Sequence, residues 1–136
     1  MRALPPDVAD FRIVRRGEDE LATAFSANEP ESTERLFLET GWRPEETTLL
    51  YHHRLDRPER LRFFRAWIGS RSWRRVVFTR NALPRSFFFR RREEGVWDDR
   101  IVDSASFEGW WKGRVFACGN VAGWPLEFLL KLQEGA

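Results

Sequence analysis

Only one cysteine, Cys118, and two lysines, Lys112 and Lys131, occur in a chain of 136 residues. A single cysteine excludes both an internal disulfide and a thiolate metal cage within the chain. With lysine nearly absent, 21 of the 23 basic residues are arginine. Asparagine is confined to Asn28, Asn81 and Asn120, glutamine to Gln133 and methionine to Met1. This scarcity of thermolabile residues favours a thermophilic origin, although arginine over lysine also follows from GC-rich coding. No apolar stretch approaches the roughly 20 residues of a membrane helix. The opening residues, Met1 to Pro6, contain no apolar signal core. The expectation is a cytoplasmic protein with no membrane contact.

What the chain does have is apolar bulk, with 42% hydrophobic residues, 12 Phe and 7 Trp. That is enough for one packed core, so a single domain over 1–136 is expected. Its net charge of +2 hides a division into an acidic, helical part over about 1–50, a basic middle over 51–100, and a strand and final helix over 101–136. These parts carry −5, +8 and −1, and 13 arginines lie between Arg54 and Arg92 against only Asp56 and Glu59. Two outcomes are open. Either the fold gathers the arginines into one surface, or the acidic first third neutralises the basic middle.

Residue patterning predicts an α+β domain whose antiparallel sheet of about four strands, in the C-terminal half, packs with several short helices. Phe11 to Arg15 reads as a short strand ending at Gly17, and Glu18 to Phe25 as a helix with an acidic first turn. A second helix comes next, capped by Asn28 or Ser32 and stopped by Gly41. Pro44 to Leu55 is ambiguous between helix and strand and leans to helix. Asp56 and Glu59 have capping-box spacing with Pro58 in the first turn, starting a helix that ends near Gly69. Strands are expected at Arg75 to Thr79, Ser86 to Arg92, Val96 to Val102 and Arg114 to Cys118, with turns at Asn81 to Pro84, at Gly95 and at Asp103 to Ser106. Pro125 to Gln133 closes the chain as a helix.

The candidate binding residues are Arg62, Arg65, Arg71, Arg74, Arg75, Arg80, Arg85, Arg90, Arg91 and Arg92, with Trp110 and Trp111 as aromatic anchors. Guanidinium forks beside Trp73, Phe78, Phe87, Phe88 and Phe89 suit phosphates and unstacked bases, and suit acidic protein surfaces equally. A salt-bridged, solvated sheet face is the alternative reading of the arginines, and a place in the core the better one for the two tryptophans.

Catalytic signals are weak. His52 and His53 are adjacent and lack the i, i+4 spacing of helical metal sites, so both read as structural or surface residues. Glu93, Glu94, Asp98, Asp99 and Asp103 surround an expected hairpin, where a metal-dependent nuclease would want clustered carboxylates, but their spacing resembles solvated turn chemistry. Ser104 and Ser106 lack a G-x-S-x-G frame, and Cys118 has no basic neighbour closer than Arg114. Gly119 to Gly123 has no Lys-Ser/Thr after its glycines, so it reads as a turn between the last strand and the last helix. Neither a catalytic residue nor a metal site nor a cofactor is assigned.

In overall character, small, Arg-rich, Trp-rich and with the basic stretch from Arg71 to Arg92, the chain resembles the small regulators encoded by bacteriophages of thermophilic bacteria. Some of these bind and inhibit host RNA polymerase. The resemblance implies a non-enzymatic binding protein in the host cytoplasm, with RNA polymerase or its sigma factor as partner. It also allows the acidic first third to meet basic, DNA-facing surfaces. A direct DNA- or RNA-binding module is the second reading and a metal-dependent nuclease the third.

Overall fold

Buried parallel strands read as short, nearly continuous apolar runs, because helices cover both faces of their sheet. Leu49, Leu50 and Tyr51 form such a run, and so do Val76, Val77 and Phe78. The computed structural model describes residues 10–54, 57–81 and 95–134. Six strands, β1 (Arg12–Arg16), β2 (Asp19–Thr23), β3 (Thr48–His53), β4 (Arg75–Arg80), β5 (Val96–Trp97) and β6 (Arg114–Gly119), form one sheet in the order β1-β2-β6-β3-β4-β5. Only β1 and β2 pair antiparallel; the four other pairings are parallel. Helices α1 (Pro30–Thr40), α2 (Pro58–Gly69), α3 (Ser104–Trp110) and α4 (Trp124–Glu134) complete the architecture. No helix among the described residues is long and apolar enough to cross a membrane.

Two cores result, one on each face. Phe37, Leu61, Phe64 and Ile68 of α1 and α2 meet Ala22, Leu49, Tyr51, Phe78 and Phe116 of the sheet. Phe107, Trp124, Phe128 and Leu129 of α3 and α4 meet Leu21, Leu50, Val115 and Ala117 on the other face. Neighbours in one strand thus serve opposite cores, as the two-residue strand period requires.

The expected mixture of helices and strands is present, but the antiparallel meander is not. Its physical basis failed at two places. Asp103 to Ser106 is no turn between strands but the start of α3: Asp103 accepts from Ser106 N at 2.8 Å while the Ser106 hydroxyl accepts from Asp103 N at 3.0 Å. Both serines are thereby engaged as structural groups, Ser104 donating to Glu108 at 3.1 Å. The strand expected from Val96 to Val102 stops after Trp97, because Asp98 folds back to accept from the Arg100 amide at 3.1 Å.

Glu18 to Phe25 is likewise a hairpin and strand rather than a helix. Gly17, at φ 62°, supplies the left-handed residue of a tight turn that pairs Arg16 with Asp19. Of the segment Pro44 to Leu55, the described residues form a 3₁₀ turn (Pro44–Glu46) and the buried strand β3, and Leu55 lies outside the described residues. The strand β1, the stop of α1 at Gly41 (φ 69°), the span of α2, and the strands and helix expected near β4, β6 and α4 agree with the sequence reading. Asp56, the triplet from Phe87 to Phe89 and the strand expected from Ser86 to Arg92 lie outside the described residues.

His52 and His53 are buried in β3, so the structural reading holds for them and a surface position does not. His52 Nε2 donates to Ala122 O at 2.7 Å, and its Nδ1 accepts from the Thr79 hydroxyl at 2.7 Å. That hydroxyl in turn accepts from Trp124 Nε1 at 3.1 Å. Burial pushes the imidazole down from 6.5 to about 4.

Two outcomes are expected. Asp103→Ala removes the α3 cap and lowers stability by about 1 kcal/mol in urea unfolding. For His52, the unfolded chain takes up its proton near pH 6.5 while the folded imidazole resists until about pH 4. The unfolded state therefore binds more protons between those values, and stability falls on acidification through that window by about 3 kcal/mol. Denaturation midpoints measured from pH 7 to 4 will show this slope, and His52→Gln will lack it.

Candidate functional site

All five parallel strands end on the same edge of the sheet, and open α/β sheets place ligands outside those carboxyl ends. The connection from β2 through α1 to β3 passes over β6, which enters between them. Around β6 the chain leaves the sheet toward opposite faces, through α1 and α2 on one and α4 on the other. The loop after β2 and the start of α2 border a pair of adjoining clefts there.

The first cleft, of about 470 Å³, is lined by Ser26, Asn28, Glu29, Ser32, Arg35 and Glu39 among others. The second, of about 350 Å³, is lined by Asn28, Glu29, Pro30, Arg60, Phe63 and Phe64. They share Asn28 and Glu29.

The loop that presents these two residues is fixed from beneath. Ala24 N donates to Ala117 O at 2.8 Å, extending the pairing with β6. Phe25 is buried edge-on against Trp124, with ring centroids 6.0 Å apart. The Glu29 carbonyl accepts from Thr33 N at 3.1 Å, from the buried Thr33 hydroxyl at 2.8 Å and from Ser32 Oγ at 3.2 Å. Ser26, Asn28 and Glu29 stay exposed on top. Across the cleft, Arg60 is half-buried on α2, and among the described residues its guanidinium has neither an ion pair nor a hydrogen bond. The Asn28 side-chain amide is likewise uncommitted. A planar guanidinium and an amide that line one cleft are donors for a carboxylate.

The arginines expected to form the site do not converge. Arg62 and Arg65 are exposed on the outer side of α2. Arg71 pairs with Glu34 and lies over the rings of Phe37 and Trp67 at 5.4 and 5.9 Å. The same pairing holds the Glu34 carboxyl below its usual range. Arg74 and Arg75 sit at the amino end of β4, whereas Arg80 at its far end binds Asp99 at 2.6 Å and covers Trp97 at 5.0 Å. Arg85, Arg90, Arg91 and Arg92 lie outside the described residues.

Trp110 is half-buried beside Phe107. Trp111 is buried, donates to Glu20 O at 3.2 Å and carries Arg16 over its ring at 4.3 Å, so it is a core residue and not an exposed anchor. Sequence reasoning missed Asn28, an isolated amide read only as a cap, and Arg60, one of 13 arginines between Arg54 and Arg92 with nothing local to single it out; their shared position at the strand ends is a property of topology.

The acid-cluster reading fails on geometry. Asp98 is held by Arg100 at 2.9 Å, which keeps its carboxyl below the usual range, Asp99 by Arg80, and Asp103 caps α3. Glu93 and Glu94 lie outside the described residues, and among those described no three His, Cys, Asp or Glu side chains gather as a metal site would. Burial pushes the Cys118 thiol well up, away from nucleophilic use.

Comparison with known proteins overturns the regulator reading. Among solved structures, the fold is similar to that of a folylpolyglutamate synthase from Thermotoga maritima, with a TM-score of 0.57 and 16% identity over 94% of this chain. The chain spans 31% of that protein's length. No curated protein matches the sequence. Residues 8–135 match the family model described as the poly-gamma-glutamate synthase CapB C-terminal domain. A non-enzymatic phage inhibitor of RNA polymerase, a nucleic-acid-binding module and a nuclease are set aside as the function by this match, since the first two rested on arginine content and the third on a run of carboxylates, none of them on a motif. The chain belongs to the family of poly-gamma-glutamate synthase CapB C-terminal domains.

Proposed function

We propose that this chain is the substrate-holding domain of a synthase that joins glutamate units through their γ-carboxylates. In this reading the edge cleft between the β2–α1 loop and α2 receives a glutamate carboxylate. The observation that carries it is that the half-buried Arg60, without an ion pair or hydrogen bond among the described residues, lines the same cleft as Asn28. Family membership supplies the ligase character, and the fold shared with a folylpolyglutamate synthase agrees with it.

The chemistry divides naturally. A carboxylate is a poor electrophile, so an amide forms only after one of its oxygens has become a leaving group and an amine has attacked the carbonyl carbon. The sequence of this chain carries no G-x-x-x-x-G-K-[ST] loop for phosphate activation. We therefore assign to these residues the holding and orienting of the acidic substrate. Fixing a reactant in attack geometry removes entropy from the barrier before the bond-making step. Asn28 is suited to this because its loop is clamped by Phe25 and by the hydrogen bonds to Glu29 O. Arg60 is suited because a half-buried guanidinium is shielded less by water than an exposed one.

Titration of the ¹⁵N-labelled protein with L-glutamate is expected to shift amide resonances of residues 26–32 and 57–64. Arg60→Ala should weaken that binding about tenfold, the loss of a charge-assisted hydrogen bond. Shifts confined to other regions, or an Arg60→Ala variant that binds as the parent does, would overturn the assignment.

A further inference from the structure

Pro30 at the start of α1 and Phe63 in α2 both line the cleft that holds Arg60. Glu34 and Trp67 follow them at four-residue spacing, so each lies on the same side of its helix about 6 Å further along the axis. There the two helices are joined. Trp67 Nε1 donates to Glu34 Oε1 at 2.8 Å, and the Arg71 guanidinium, just beyond the end of α2, donates to Glu34 Oε2. One carboxylate of α1 is thus gripped at both oxygens from the α2 side. Its partners are themselves held. Trp67 packs against Phe64, Trp73 and Phe116 with ring centroids 6.2, 5.6 and 6.4 Å away, and Arg71 lies over Phe37 and Trp67.

Both helices would stay on the sheet without this brace, since Phe37 of α1 and Leu61, Phe64 and Ile68 of α2 are already buried against it. A half-buried ion pair adds little net stability to such a contact, because desolvating the charges offsets much of their attraction. What it adds is a fixed distance: hydrogen bonds to a charged group are short and directional, and apolar contacts are not. The bond from Arg71 holds the Glu34 carboxyl below its usual range, so the brace is charged and intact at neutral pH. We propose that Glu34 is a positioning residue that sets the width of the cleft and so decides which length of acidic amino acid it admits. The proposal rests on the reading of the cleft as a glutamate site. Glutamate and aspartate carry the same charges and differ by one methylene, so only the geometry of the cleft can separate them.

Titrations of the ¹⁵N-labelled protein with L-glutamate and with L-aspartate test this through the ratio of the two dissociation constants. In the parent, glutamate is expected to bind about tenfold more tightly, a discrimination that one methylene can give in a shaped pocket. Glu34→Asp shortens the brace by one methylene, and its bonds to Trp67 and Arg71 survive only if α1 moves about 1.5 Å toward α2. That variant should lower the ratio to about threefold or less, weakening glutamate while sparing aspartate. Trp67→Phe keeps an aromatic ring but removes one of the two bonds, and should lower the ratio as well. Arg62→Ala, on the exposed outer side of the same helix, should leave it unchanged. Thermal melts verify that each variant is folded, and Trp67→Phe decides if Glu34→Asp is not.

Affinities for the two amino acids that fall by one common factor, or that do not change, make the brace merely structural and sink the proposal. A parent that binds glutamate and aspartate equally does the same. In each of these cases the glutamate site stands. If neither amino acid perturbs residues 26–32 and 57–64 of the parent, both readings fall.

Discussion

The insertion of β6 between β2 and β3 is the constraint on which the rest of the structure depends, and it rests on the absence of one side chain. Gly119 ends β6 at φ 100°, and a Cβ there would lie 2.4 Å from the His52 carbonyl oxygen. That close approach lets Asn120 N donate to the same carbonyl at 2.9 Å and turns the chain out of the sheet toward α4. His52 completes the turn from the other side, its Nε2 holding Ala122 O while Thr79 and Trp124 close the network. Backbone polar groups at the heart of the sheet edge are in this way satisfied without water. With β6 so fixed, β2 is held beside it, and the loop bearing Asn28 is brought across from α2.

Much of the local structure was legible in the sequence, and the topology was not. The stop signal of α1, the apolar runs of β4 and β6 and the leucines of α4 each act over a few residues, so each could be read locally; the caps could not, since α1 follows Glu29 rather than Asn28 or Ser32, and α2 follows Arg57, neither with a side-chain cap hydrogen bond. Asp103 to Ser106 shows the limit: the same short polar side chains that make turns also cap helices, and only the residues after them, here Phe107 to Trp111 packing on the sheet, decide between the two. Once α3 is read as a turn, the βαβ crossovers collapse into a meander. The helix expected from Glu18 to Phe25 failed for a related reason, since its apolar residues from Leu21 belong to the end of β2 and the loop after it. A strand buried on both faces has no polar alternation, and periodicity alone cannot separate it from a buried helix.

Charge was the most visible feature of the sequence and the least informative about function. Neutralisation of the basic middle by the acidic first third, the alternative to a binding surface, occurs at Glu34 with Arg71, and outside the basic middle Glu20 and Glu46 hold Arg114. Several arginines also lie over indole rings: Arg16 on Trp111, Arg80 on Trp97 and Arg114 on Trp42. An arginine so placed uses its stem and its planar face for packing and its fork for a carboxylate or a carbonyl, as Arg16 does with Glu108 O and Trp111 O. A scaffold rich in Trp and Arg therefore gains from its cations much of what lysine, a compact and strongly hydrated charge, would not supply.

This use of arginine as packing material gives the few uncommitted cations their meaning. Where the guanidinium groups have found rings and acids inside the fold, a count of basic residues says little about partners. What remains is position. Arg60 lies at the carboxyl edge of a parallel sheet, half-buried and lining one cleft with Asn28, whereas Arg62, two residues further along the same helix, is exposed. The two are indistinguishable by composition and nearly so by sequence. They differ in which side of α2 the leucine and phenylalanine contacts with the sheet turn toward the strand ends, and that choice is made by the core before any ligand arrives.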